Sequence, residues 1–138
     1  MGGGRWGLPP VSYLPKKGFN MTIPSRVLGS GNSPLATQSI CGTAATGLTA
    51  TGTNLATALQ LSTSWNVVGT TASGTGVKLM PTENGATMLV ANDGANSLTV
   101  YAPSGSTIDG AASVAIATTK RRVFWGTSDT TWVSILGA

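Results

Sequence analysis

The sequence predicts an all-β protein: a single antiparallel β-sandwich or jelly-roll-like domain with an extended N-terminal arm. Three observations support this fold class. Short apolar segments recur at regular spacing, turn-forming residues stand between most of them, and helical periodicity is nowhere sustained beyond about two turns. Chains with many short strands of this kind fold as sandwiches, jelly rolls or barrels. The 138 residues suffice for one ordinary domain.

Eight segments have the length and composition of strands. The clearest hairpin joins two of them, because Asn92-Asp93-Gly94-Ala95-Asn96 separates 87–92 from 98–101, and Asn, Asp and Gly tolerate the left-handed backbone of a tight reversal. Further turns are predicted at 103–106 and 108–110. Residues 35–54, rich in Thr, Ala and Gly, lead in with one or two weak strands. The eight predicted strands are 56–62, 64–70, 76–80, 87–92, 98–101, 114–118, 122–126 and 131–136.

Strand alternation groups the side chains by face. Leu98 and Val100 share one face of their strand, and Thr99 and Tyr101 share the other. In strand 122–126, Val123 and Trp125 share one face. In strand 131–136, Trp132, Ser134 and Leu136 share one face. The sequence does not decide which of these faces points inward.

Residues 1–34 form the predicted arm, and residues 35–138 form the sandwich domain. Prolines recur through the arm from Pro9 to Pro34 and prevent a regular element. The large side chains between them have no neighbours in the arm to pack on. We therefore predict that the arm binds an extended groove on its own body, on a sister subunit or on another protein. The alternative is that Met21 is the working start and residues 1–20 are an optional extension. The predicted docking residues are Arg5, Trp6, Leu8, Tyr13, Leu14, Lys16, Lys17, Phe19 and Arg26.

The formal charge of +4 is confined to the start of the chain. Arg5, Lys16, Lys17 and Arg26 precede Val27 with no acidic residue among them, whereas the charges beyond that point balance. A neutral body argues against a nucleic-acid partner, and no apolar stretch is long enough to predict a membrane span. Charged residues make up only 9% of the chain. Such a surface is common where much of the exterior meets other subunits.

The residue types that carry most catalytic chemistry are scarce. The chain has no histidine and a single cysteine, which excludes a Cys/His zinc site and an internal disulfide framework. Asp93 and Asp109 fall in predicted turns, where Asp bonds the local backbone. We therefore expect no enzymatic activity, no cofactor and no metal site.

Two clusters have alternative interpretations. The basic run 120–122 could contact phosphate, protect a strand edge from unwanted pairing, or form a salt bridge to another subunit. Trp65, Trp125 and Trp132 could form a sugar-stacking platform, or they could serve the core or an interface.

Several segments together resemble a known kind of protein. They are 54–61 (NLATALQL), 74–79 (GTGVKL), 90–101 (VANDGANSLTVY), 106–110 (STIDG) and the Trp-bearing 131–133 (TWV). Their order is similar to that of a recurrent small β-domain in virion proteins of tailed bacteriophages. The likeness covers roughly residues 51–138 and rests on turn and strand patterning. The basic Pro/Gly arm is not part of the family's pattern.

The resemblance implies a trimeric β-sandwich or jelly-roll unit in a virion. The function it favours is a capsid decoration or cement protein, made in the host cytoplasm, that docks on the major capsid protein at the outer surface of the phage head and stabilises it. The alternative is a tail-fibre or receptor-binding β-module that contacts host glycans through its tryptophans. A β-rich enzyme is a third, weaker class.

Overall fold

A computed structural model describes residues 23–137 of the chain. The chain divides into two units, Met1–Cys41 and Gly42–Ala138. The described part of the first unit forms two short helices, α1 (Ile23–Gly29) and α2 (Pro34–Cys41). Ser33 caps α2, since its Oγ accepts a hydrogen bond of 3.1 Å from the Ala36 N–H.

The prediction that residues 1–34 contain no regular element is wrong for residues 23–29. Proline lacks an N–H, but the first turn of a helix does not need that donor, so Pro24 is accommodated in the first turn of α1 and Pro34 begins α2. Of the predicted docking residues, Arg26 lies in the last turn of α1. The others lie outside the described residues: Arg5, Trp6, Leu8, Tyr13, Leu14, Lys16, Lys17 and Phe19.

The described part of the second unit contains ten strands. They are β1 (Ala44–Thr49), β2 (Leu59–Gln60), β3 (Trp65–Thr70), β4 (Gly76–Lys78), β5 (Thr87–Asn92), β6 (Leu98–Tyr101), β7 (Thr107–Ile108), β8 (Ser113–Ile116), β9 (Arg121–Gly126) and β10 (Thr131–Gly137).

These strands form a β-solenoid of stacked coils, so the prediction of an antiparallel β-sandwich or jelly roll is wrong. Sheet A has the order β1-β3-β5-β9-β10-β7, and sheet B has the order β2-β4-β6-β8. The chain passes from sheet A to sheet B and back, and each strand lies parallel to the strand one coil earlier. This holds for β1, β3 and β5 in sheet A and for β2, β4 and β6 in sheet B.

The chain then reverses and closes the stack. β8 runs antiparallel to β6, and β9 runs antiparallel to β5, so both cover the third coil. β10 pairs antiparallel with β9 and parallel with the short β7.

The predicted hairpin between 87–92 and 98–101 does not form, although both strands have the predicted bounds. β5 belongs to sheet A and β6 to sheet B, so the segment between them is a corner of a coil. Asn-Asp-Gly turns the chain at such a corner as well as it closes a hairpin, because both need only a local change of direction. The pairing of the flanking strands was therefore not determined by the turn residues.

The core lies between the two sheets and is built from ladders of inward side chains. In sheet B, Leu59, Val77, Val100 and Val114 are register partners across all four strands. The structure shows which face of strand 98–101 points inward: it is the face of Leu98 and Val100, which are fully buried. The wider cluster adds Leu61, Val68, Leu79, Met88, Val90, Leu98, Ile108, Ile116, Phe124 and Trp132.

A buried amide fixes the corner between β5 and β6. The Asn92 side chain, 0% exposed, donates to the Asn96 carbonyl at 2.8 Å and to the Ile116 carbonyl at 2.9 Å. Its Oδ1 accepts from the Thr71 hydroxyl at 2.9 Å and from the Gly94 N–H at 3.1 Å. One side chain thus satisfies four groups from three different segments in a place that water does not reach.

We expect Asn92→Ala to lower the free energy of unfolding by about 3 kcal/mol, because it leaves buried donors and acceptors without partners. Chemical denaturation followed by circular dichroism measures the loss. The matched control is Asn54→Ala: the exposed Asn54 Oδ1 accepts from the Thr57 N–H and hydroxyl, and its removal should cost about 1 kcal/mol or less. Equal losses in the two variants would contradict this role of Asn92.

Candidate functional site

The outer face of sheet A carries apolar side chains in register across four neighbouring strands. Trp65 on β3, Leu89 on β5, Val123 on β9 and Ile135 on β10 are successive register partners. Trp125 and Val133 form a second row beside them. We call these six residues the outer apolar face. They alternate along their strands with the buried Asn66, Val68, Met88, Val90, Phe124 and Trp132.

Much of this face is open to solvent. The exposed fractions are 46% for Trp65, 37% for Trp125, 37% for Val133 and 62% for Ile135. Leu89 and Val123 lie between them and are half-buried. Scattered exposed apolar residues are normal on a protein surface, but a contiguous patch of several hundred Å² usually marks an interaction surface.

The three tryptophans of the predicted sugar platform do not share a surface. Trp132 is 0% exposed and belongs to the core, whereas Trp65 and Trp125 lie on the outer apolar face. Because the chain alternates, Trp132 points inward together with Ser134, and Val133 and Ile135 point outward. The sequence grouped these residues correctly by face. It missed Leu89, Val133 and Ile135 as surface candidates because it could not tell the inner face from the outer one.

The basic run does not form a positive patch. Arg121 pairs with Asp93 at 3.1 Å within the same chain. Arg122 is on the inward side of β9, and its buried Nε has no hydrogen-bond partner among the described residues. β9 lies between β5 and β10 in sheet A, so the run does not protect a strand edge.

The carboxylates that could have been catalytic have structural partners. Asp109 lies in a tight turn at φ 52, and its Oδ1 accepts from the Ser134 N–H at 2.9 Å while Oδ2 accepts from the Ser134 hydroxyl. Asp93 is the partner of Arg121. In residues 23–137 no three His, Cys, Asp or Glu side chains come together in an arrangement that could hold a metal ion.

A groove of about 450 Å³ opens on sheet B beside Gln60 and Lys78. Leu55, Pro81 and Pro103 make its walls mainly apolar, and no aromatic residue lines it. It therefore lacks the stacking surface that a sugar site usually has.

The helices of the first unit expose several large apolar side chains. α1 buries none of its residues, and α2 buries Thr37 alone. Four large apolar side chains of this unit are between 46% and 74% exposed: Ile23, Leu28, Leu35 and Ile40. Neither helix of the described region is long and apolar enough to span a bilayer.

Comparison of the chain with models of protein families, with curated proteins and with solved structures gives no match. The resemblance to virion proteins of tailed bacteriophages therefore stays a prediction from the sequence.

Asp109 provides a test of whether its carboxylate has a structural role. We expect Asp109→Ala to lower the free energy of unfolding by about 2 kcal/mol, because it removes the acceptor for Ser134 and places a less tolerant residue at positive φ. Asp109→Asn keeps one acceptor oxygen and tolerates that backbone, so its loss should be about 1 kcal/mol or less. Thermal unfolding measures both variants, and an equal loss in the two would contradict the assignment.

Proposed function

We propose that this chain is a non-catalytic structural subunit of an assembled particle. The role that the resemblance implies is capsid decoration: docking as a homotrimer on the major capsid protein at the outer surface of a tailed-phage head. An assembly role is supported by α1 and α2, which are too short and too exposed to be stable helices without a partner surface.

Helices of this length need support from outside themselves. α1 has seven residues and α2 has eight, whereas isolated helices shorter than about 12–15 residues are marginal in water. The pair contributes almost no buried core of its own. Leu35, 74% exposed, and Ile40, 63% exposed, instead stand on its surface. A partner surface that buried such side chains would stabilise the helices by roughly 1.5–3 kcal/mol for each side chain.

The charge of this region favours an acidic partner. Arg26 lies in the last turn of α1, and the residues before it add Arg5, Lys16 and Lys17 with no acidic residue. An acidic surface such as a capsid shell would speed the encounter and help to orient the docked segment. The absence of histidine from the sequence and the structural roles of Asp93 and Asp109 support a non-catalytic function.

The location of the protein tests this proposal. We expect purified virions of the phage that encodes the chain to carry it on the outer head surface in near-stoichiometric amounts. Immunogold labelling and quantitative gel analysis of the particles measure this. Labelling confined to the tail would contradict the decoration role and favour the alternative.

The alternative is a tail-fibre or receptor-binding module that contacts host glycans. The observation in its favour is that Trp65 and Trp125 are exposed on one face. Glycan binding that is lost in Trp65→Ala and Trp125→Ala would support it. Trp132→Ala is not a useful variant here, because its buried indole belongs to the core.

Deleting residues 1–20 separates docking from folding. We expect the truncated protein to keep the solenoid, because every member of the hydrophobic core cluster lies between Ala50 and Trp132. It should no longer attach firmly to particles, since aromatic anchors of the kind predicted at Trp6 often contribute 2 kcal/mol or more each. Circular dichroism measures folding, and cosedimentation with particles stripped of the protein measures attachment.

Matched variants of the full chain refine that experiment. Trp6→Ala should weaken attachment more than Lys16→Ala at physiological salt, because exposed charges are screened. The double variant Leu35→Ser/Ile40→Ser should also weaken it. If the truncated protein cannot fold, residues 1–20 belong to the core of their own subunit and the docking proposal is wrong. If it folds and still binds normally, Met21 is favoured as the working start.

A further inference from the structure

The outer apolar face has the size and composition of a surface that a binding partner covers. Its four strands, at about 4.8 Å spacing, make a surface roughly 15–20 Å across. The face is the outward side of a sheet whose inward side is already packed, so its exposed side chains contribute little to the fold. Monomeric proteins rarely leave a contiguous apolar surface of this size uncovered. This observation is independent of α1 and α2.

The charges of the second unit favour a copy of itself. Lys78, Lys120, Arg121 and Arg122 balance Glu83, Asp93, Asp109 and Asp129 within residues 42–137, so the formal charge of this unit is zero. Two such units approach without the net repulsion that keeps charged domains apart. The six residues of the face carry no charge that would select an acidic or a basic partner. Arg121, at its border, is already paired with Asp93.

The geometry indicates packing face to face. Sheet faces pack on one another about 10 Å apart with side chains interdigitated. The edges of sheet A are less suitable. β1 has register shifts around Gly47, which is at φ 68, and β7 at the other edge has only two residues. Irregular and very short edge strands disfavour edge-to-edge pairing.

We propose that the outer apolar face is the self-association interface of this protein, covered by the same face of further copies of the chain. Leu89 and Val123 lie in the middle of the face, and the more exposed Trp65, Trp125 and Ile135 surround them. These three large side chains lose the most water on association and are expected to contribute most of the binding. A contact in which each copy uses the same residues as its neighbour is isologous and pairs two copies about a two-fold axis. It is therefore a different contact from the three-fold one that a homotrimer needs.

The test compares two adjacent residues on β10. Ile135, 62% exposed, lies on the outer apolar face, whereas Leu136, 48% exposed, points to the opposite side of the strand. We expect the full-length protein to sediment as an oligomer at micromolar concentration. Ile135→Lys should raise the dissociation constant at least about 100-fold, because it buries an unpaired charge. Leu136→Lys adds the same charge and should leave the oligomer intact. Sedimentation velocity measures all three proteins.

A second measurement guards against misfolding of the lysine variants. In a Cys41→Ser background, a nitroxide label on Thr87→Cys, an exposed position beside Trp125 that is not one of the six residues of the face, should show strong dipolar coupling between copies. Tenfold dilution with unlabelled protein should reduce that coupling. A monomeric wild-type protein, or equal dissociation by Ile135→Lys and Leu136→Lys in folded proteins, would overturn the proposal. A monomeric wild-type protein would also contradict the homotrimer of the proposed function, but both results leave the docking role of the N-terminal region standing.

Discussion

Each coil of this protein relies on its neighbour to cover its inward side chains. A coil contributes one short strand to sheet A and one to sheet B, which is too little apolar surface to form a core alone. The ladder Leu59–Val77–Val100–Val114 shows the solution, because each member packs beside its register partner in the next strand. The antiparallel β8 and β9 extend both sheets past the third coil, where Ile116 and Phe124 complete the core.

This way of building a core leaves the outer side of the sheets free of folding constraints. Inward positions must be apolar, and the buried amides of Asn66 and Asn92 are tolerated there because their polar atoms are hydrogen-bonded. Outward positions need only be compatible with a strand. The stability of the coils therefore does not explain why Trp65, Trp125 and Ile135 are apolar although they are exposed. Exposed apolar side chains grouped in this way are typical of a binding surface.

The sequence predicted local structure well and topology poorly. The bounds of β5 and β6 were predicted correctly because alternation and turn residues are local signals. Their pairing was not, because Asn-Asp-Gly serves a coil corner as readily as a hairpin. The solenoid repeat was hidden by uneven coils: Ala44, Trp65 and Leu89 stack in register at intervals of 21 and 24 residues. For the candidate site, alternation showed which residues share a face, and only the fold showed which faces point outward.

The distribution of charge gives the two proposed interactions of this chain a different physical basis. A neutral solenoid unit can pack on its own copies, because no net charge accumulates as copies are added. The basic residues Arg5, Lys16, Lys17 and Arg26 belong instead to the first unit, with no acidic residue among them. Their attraction to an acidic partner would act over about a Debye length of 8 Å at physiological salt and would weaken as salt is added. Burial of the outer apolar face is not weakened by this screening, so the two proposed interactions would respond differently to ionic strength.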